Sequence, residues 1–404
     1  MTFRQKWLGS LAAAIGLALA LGPAHAQKKY GPGASDSEIK IGNINPYSGP
    51  ASAYGSIGKG IAAYFRLVND LGGINGRKVN FITLDDGYSP PRAVEQVRRL
   101  VEQEQVLLVF QSLGTPGNTA IHKYMNARKV PQLFVATGAT KWNDPKGHPW
   151  TMGWQPNYQT EAKAYAQYIL KNHANAKIGV LYQNDDYGKD YLKGFRDGLG
   201  ARASNMIVRE LSYEVTDPTV DSQIVTLKGS GADAFFNITT PKFAAQAIRK
   251  ANEIDWKPVH FLNNVSNSID NVLKPAGLEA SKGLISSLYV KDAADPQWHN
   301  DQDYKNWLAW MKQYNPGAST TDAFYVYAYA VSSTLHQVLK QCGDDLTREN
   351  VMRQAANLKN IQVPMLLPGV HLNTGPNDFA PIEAVQLARF DGKRYIEFGD
   401  VLGQ

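Results

Sequence analysis

The stretch Val109–Asn118, VFQSLGTPGN, and its companion Leu133–Thr140, LFVATGAT, decide how this chain folds. Each reads as a buried apolar strand that runs into a short Gly-rich loop and then into a helix. At such a turn the first helical N–H groups have no partner inside the helix. With the helix dipole they form a seat for an anion. Thr115 adds a hydroxyl, and Gly114, Gly117 and Gly138 let a ligand approach the backbone closely. The expectation is a chain that builds two lobes around such loops to hold one small molecule.

Working outward, the same alternation recurs on both sides. Ile39–Asn45 reads as a strand ending in the loop PYSGPASAY, after which Ile57, Ile61, Phe65 and Val68 recur at helical spacing. Val79–Leu84 is a second strand, and Pro90 and Pro91 open the next helix where proline is tolerated. The pattern pauses over KWNDPKGHPWTMGWQPNY (141–158), and a second strand–helix series then runs from about Thr160 to Leu262. Two long helical patterns and a short one follow, and the tail is a two-stranded pattern joined by Asp391-Gly392, a hairpin signal. Alternation at this spacing predicts right-handed βαβ units on parallel sheets, with ligands beyond the carboxyl ends of the strands.

Composition narrows the class. The chain has 404 residues, 43% hydrophobic and 19% charged, a length that favours two domains over one. Met1–Ala26 reads as an export signal: Arg4 and Lys6, the apolar run Leu8–Leu21, then Ala24-His25-Ala26 as cleavage site. The run is shorter than the ~20 residues of a membrane span, so an exported, soluble protein is expected. The formal charge of +6 falls to +4 once Arg4 and Lys6 are removed, and the basic residues are scattered among acids, which argues against nucleic acid. Cys342 is the only cysteine, so an intramolecular disulfide is excluded and a buried thiol is expected. The eight histidines show no metal-ligand spacing, and no phosphate loop or nucleophile elbow is present. Neither an enzyme nor a cofactor is expected.

The blocks IKIGNINPYSGPASAYG, NDLGGINGRKV, LDDGYSPPRAVEQVRRLV and YQNDDYGKD follow in the order seen in periplasmic substrate-binding proteins of branched-chain amino-acid ABC transporters, and the chain resembles that family over nearly its whole mature length. The resemblance implies an α/β, type I periplasmic-binding fold: two Rossmann-like lobes with parallel sheets and three hinge crossovers, near Trp154, Tyr289 and Pro364. Residues 1–26 would be the signal peptide and 27–37 a flexible leader. Lobe 1 would comprise 38–153 and 290–362, and lobe 2 154–289 and 363–404. It also implies a monomer that delivers a small-molecule carboxylate to an inner-membrane ABC permease. A ligand-sensing subunit would share the binding chemistry.

Position by position, the family's aromatic after the SGP loop is matched by Tyr54, and its carboxylate-binding hydroxyl by Thr115 beside Gly114. The next loop, usually a source of a second hydroxyl, here runs Ala136-Thr137-Gly138. Tyr187 matches the opposite-lobe tyrosine, and a second aromatic falls near Thr239 and Thr240. The main departure is Asn264, where members that hold an α-ammonium commonly carry a carboxylate. A buried ammonium without a counter-charge costs several kcal/mol, and an amide supplies none. The expected ligand is therefore an aromatic or other amine-free acid, with a branched-chain or other aliphatic amino acid as the alternative should Asp85, Asp86, Asp185 or Asp186 supply the charge. The aromatics Tyr47, Tyr54, Tyr88, Trp142, Trp154, Tyr158 and Tyr187 are expected to crowd the cleft.

Overall fold

The computed structural model describes residues 28–403; the export signal lies outside them. Strand β1 (Lys29–Tyr30) pairs with a strand late in the chain, Asp345–Leu346, so the leader expected to be flexible is tied down. Strands β2 (Glu38–Asn45), β3 (Lys78–Asp85), β4 (Leu108–Phe110) and β5 (Gln132–Leu133) form a parallel sheet in the order β3-β2-β4-β5. Helices α1 (Gly55–Asp70), α2 (Pro90–Arg98) and α3 (Thr115–Ala127) connect them. Ile57, Ile61, Phe65 and Val68, one stripe of α1, are all buried, as their spacing predicted. The strand expected to open the stretch LFVATGAT is only two residues long, Gln132–Leu133, because at Phe134 the backbone turns into the left-handed region (φ 54°).

The chain then passes to a second sheet. Helices α4 (Tyr158–Asn172), α5 (Asp186–Leu199), α6 (Ala203–Met206), α7 (Asp221–Gly229), α8 (Pro241–Glu253) and α9 (Lys274–Ala276) alternate with β6 (Ile178–Gln183), β7 (Ile207–Tyr213), β8 (Ala234–Ile238), β9 (Val259–Leu262) and β10 (Ile285–Leu288). After β10 the chain returns to the first unit, where α10 (Gln302–Tyr314) and α11 (Ala323–Cys342) pack against α1. Next come the partner of β1, β11 (Asp345–Leu346), and α12 (Arg348–Ala355). The chain then crosses back as β12 (Val385–Phe390) and β13 (Tyr395–Leu402), a hairpin that extends the second sheet antiparallel. That sheet runs β13-β12-β10-β9-β8-β6-β7 and is therefore mixed rather than wholly parallel.

Two passages between the units lie side by side. Lys291 N–H donates to Met365 O at 2.8 Å and Leu367 N–H to Tyr289 O at 3.0 Å. Trp154, on the first passage, is fully buried, donates its indole N–H to Thr334 Oγ1 at 3.0 Å and meets the Tyr327 ring edge-on at 5.2 Å. It packs the passage and lies off the ligand cavity.

Strand order reverses direction between β2 and β4 in the first sheet and between β6 and β8 in the second. Such switch points open a crevice at the carboxyl ends of the strands. Here the two crevices face each other. No helix among the described residues is long and apolar enough to cross a membrane.

Candidate functional site

A cavity of roughly 930 Å³, its mouth included, lies between the two crevices. Its wall is assembled from loops after β2, β3, β4, β5, β6, β8, β9 and β10, from the start of α11 and from the tail hairpin. Seven of the ten positions singled out in the sequence stand on it: Tyr54, Gly114, Thr115, Ala136, Tyr187, Thr240 and Asn264.

At the turn from β4 into α3, Gly114 sits at the N-cap with φ 92°, a left-handed conformation that favours glycine. A Cβ there would lie 2.5 Å from Tyr88 Cε2, so glycine also lets the Tyr88 ring reach the wall. Tyr88 itself holds φ 62°, a conformation that costs a bulky residue of order 1–3 kcal/mol and that concentrates at functional sites. No side chain caps α3, and Pro116 in its first turn has no N–H. The N–H groups there and the Thr115 hydroxyl make this end of the cavity donor-rich. Thr115 Oγ1 lies 2.6 Å from Thr137 Oγ1.

Across the cavity, Tyr54 donates to Val265 O at 3.1 Å, a bond between the two units, and its ring lies 5.2 Å from that of Phe324. Ser319 and Thr321 from the first unit donate to Asp270 Oδ2 of the second at 2.6 and 2.7 Å. The units are thus clasped over the cavity. Tyr187 presents its ring, but its hydroxyl is spent on Asn263 Oδ1 at 2.6 Å, while Asn263 Nδ2 bonds the carbonyls of Asn237 and Thr239. Thr240 stands at the N-cap position of α8 without a side-chain capping bond, and its N–H donates to Tyr213 Oη at 3.0 Å.

Asn264 is held from behind. Its N–H donates at 2.7 Å to Glu161 Oε1, a fully buried carboxylate that also accepts from the Tyr165 and Tyr191 hydroxyls at 2.6 Å each. Burial pushes the Glu161 carboxyl up to about 7. The Asn264 side-chain Nδ2 is buried without a hydrogen-bond partner, as are Gln155 Nε2 and Ser287 Oγ, all three on the cavity wall. Two of these orphans are amide N–H donors, groups that call for an acceptor.

The other three expected site residues stand behind the wall. Thr137 is buried and accepts from Trp142 Nε1 at 3.2 Å; Thr239 donates to Asn237 Oδ1 at 2.7 Å. Gly138 faces the Tyr158 ring, and a Cβ there would fall 2.6 Å from Pro156 O and 2.7 Å from Tyr158 Cε1. The irregular backbone of these loops turns them away from the ligand face, which linear matching does not resolve. Of the aromatics expected in the cleft, Tyr54, Tyr88, Tyr158 and Tyr187 line it, whereas Trp142 packs behind Thr137 and Tyr47 bonds Thr83 at 2.6 Å outside it.

The four aspartates named as alternative sources of a counter-charge are engaged elsewhere and none lines the cavity. Asp85 accepts from Tyr47, Ser48 and Gly87; Asp86 from the Tyr88 N–H; Asp185 caps α5; Asp186 pairs with Lys141 at 2.6 Å. The carboxylate that does line it is Asp292, which follows β10 and accepts the N–H groups of Ala294 and Tyr395, both at 2.9 Å. Beside it Lys291 is paired with Asp301 at 2.8 Å. Phe324, Tyr327 and Tyr395, also unforeseen, complete the apolar wall. The first two share one face of α11, a signal legible in the sequence; Tyr395 arrives only because the hairpin folds back, its hydroxyl on Asn267 O at 3.0 Å. Among the described residues no cluster of three His, Cys, Asp or Glu side chains is placed to hold a metal ion.

The chain is similar to known proteins. The Leu/Ile/Val-binding protein homolog 7 of Brucella abortus is 25% identical over 248 residues, 59% of this chain and 61% of that protein. The chain thus matches about three fifths of that relative's length. A branched-chain amino acid ABC transporter structure from Thermus thermophilus, with bound valine, superposes with a TM-score of 0.82 at 14% identity, covering 92% of this chain and 98% of that one. A fatty acid ABC transporter substrate-binding protein from Thermomonospora curvata gives 0.79 at 22% identity, covering 93% and 95%. Both share the type I periplasmic-binding fold. The profile of the periplasmic binding protein family matches residues 38–394, and the chain belongs to that family.

Proposed function

We propose that this protein is the solute-capturing component of an ABC importer of the branched-chain amino-acid class. In this reading it is exported to the periplasm, closes two lobes (38–153 with 290–362, and 154–289 with 363–404) around a small amine-free carboxylate, and presents the closed form to an inner-membrane permease. The observation that carries the ligand reading is the unpartnered Asn264 Nδ2 on the cavity wall. It is a donor where an α-ammonium needs an acceptor or counter-charge. The aromatic walls suit a ring or apolar chain, at about 0.5–1.5 kcal/mol per well-formed ring pair. The fatty acid binder from Thermomonospora curvata supports an amine-free acid in this fold.

The second reading, a branched-chain amino acid, draws on Asp292 in the wall and on the valine of the Thermus thermophilus structure. A thermal-shift panel of aromatic acids, aliphatic acids and amino acids separates the two. A ligand at 100 times its Kd adds about 2.7 kcal/mol of stability, which raises the melting temperature by roughly 5–10 °C for lobes of this size. Shifts from leucine or valine, with none from amine-free acids, overturn the first reading. A deletion strain that keeps solute uptake but loses a ligand response identifies a sensing subunit instead.

A further inference from the structure

The residue matching the family's second hydroxyl is a glycine, and no side chain fits there: a Cβ on Gly138 would sit 2.7 Å from the Tyr158 ring. The ring that takes that space brings a hydroxyl of its own. Tyr158 opens α4, lines the cavity, and stacks on Tyr191 with ring centroids 4.3 Å apart and planes at 20°. Its hydroxyl lies 3.3 Å from Thr137 Oγ1, which in turn lies 2.6 Å from Thr115 Oγ1.

Proton directions follow from the partners of Thr137. A hydroxyl oxygen accepts two hydrogen bonds and donates one. Trp142 Nε1–H at 3.2 Å and the Ala139 N–H at 3.3 Å can only donate, and with the Tyr158 hydroxyl donating at 3.3 Å they crowd both acceptor sites of Thr137 Oγ1. Its single proton must then go to its nearest oxygen, Thr115 Oγ1. With that oxygen already accepting, the Thr115 proton is released toward the cavity. The Tyr158 hydroxyl is one of three donors on the two lone pairs of Thr137 Oγ1, and its long bond of 3.3 Å is one that a ligand oxygen can draw away.

We propose that Tyr158 is the second hydroxyl of the seat, and that Thr137, locked by Trp142, aims the Thr115 and Tyr158 protons together at the two oxygens of a carboxylate. Tyr158 is a specificity-determining residue and Thr137 a positioning residue behind it. The pair selects an oxyanion over a primary amide of the same shape, because an amide turns its own N–H donors on one of the two hydroxyl donors. The inference rests on the carboxylate reading above.

The test is calorimetric binding of benzoate against benzamide, and of 4-methylpentanoate against its amide, to wild type, Tyr158→Phe, Thr137→Val and Thr137→Ser. Tyr158→Phe keeps the stack on Tyr191, and melting temperatures confirm that each variant folds. Wild type should prefer the acids. A lost hydrogen bond to a charged group corresponds to about a 10–100-fold loss, so in Tyr158→Phe the acid-to-amide ratio should fall by about that factor with amide affinity little changed. Thr137→Val should lower the ratio and Thr137→Ser restore it. An unchanged ratio in Tyr158→Phe overturns this inference while the carboxylate reading stands. Wild type that binds acids and amides alike, or neither, overturns the carboxylate reading and this inference with it. A variant that fails to melt cooperatively leaves the decision to Thr137→Val against Thr137→Ser, where equal ratios refute the relay.

Discussion

Replacing Glu161 by Gln should remove a pH dependence of stability that the fold builds under the binding site. Glu161 has no solvent exposure, and its carboxyl is pushed up by burial to about 7 from an ordinary 4.5. A group whose folded pKa lies above its unfolded value contributes stability that is fully present below the unfolded pKa and lost as pH rises through the folded one. At about 1.36 kcal/mol per pKa unit, the loss between pH 5 and pH 8 comes to about 2–3 kcal/mol. That is roughly 5–10 °C in melting temperature for lobes of this size. The donors on Glu161 are two tyrosine hydroxyls, which can rotate, and the Asn264 N–H, which the Gln carbonyl can still accept. The variant should therefore be near wild type at pH 5 and more stable than wild type at pH 8. Asp86, which burial raises to about 6, tilts stability in the same direction but is common to both proteins and cancels in the difference. Calorimetric melting of both from pH 5 to pH 8 reads this directly. Curves that stay parallel across the range would falsify the buried, proton-holding role of Glu161.

Thr115→Val should weaken a bound carboxylate by about 1.5–3 kcal/mol, the worth of a hydrogen bond to a charged group; unchanged affinity in a titration removes Thr115 from the seat. Asn264→Asp replaces the orphan N–H with an acceptor and should cost benzoate at least as much while admitting leucine or phenylalanine; equal benzoate affinity would count against the amine-free reading. Gly138→Ala must push a Cβ against Pro156 O and the Tyr158 ring, and should destabilise by about 1–3 kcal/mol in denaturant melts; a neutral result would show that the ring can yield. Asp270→Ala removes the acceptor shared by Ser319 and Thr321 across the mouth. It should shift small-angle scattering of the ligand-free protein toward a more open form, and an unchanged profile would deny these bonds a part in closure.

Much of the architecture was legible in the residues themselves. The helical stripe Ile57, Ile61, Phe65 and Val68 faces the core, and the strand-to-helix turns at Thr115 and Tyr187 stand on the cavity, because periodicity and turn chemistry are local properties of the chain. The Asp391-Gly392 hairpin forms where expected, with Gly392 at φ 105°. Loop residues were harder. Thr137 and Thr239 are one step, and Gly138 two steps, from wall residues in sequence, yet the irregular backbone turns each of them away from the ligand face.

By itself, the sequence determined that two βα series would fold and that a glycine-opened strand-to-helix turn would stand at Gly114-Thr115. The tertiary structure decided which polar groups meet there and which way their protons point. Glu161, Tyr191 and Asn264 come from three separate elements, as do Thr115, Thr137 and Tyr158. A hydrogen bond is set by distance and by how many donors compete for one lone pair, and no reading along the chain contains either quantity until the elements are packed together.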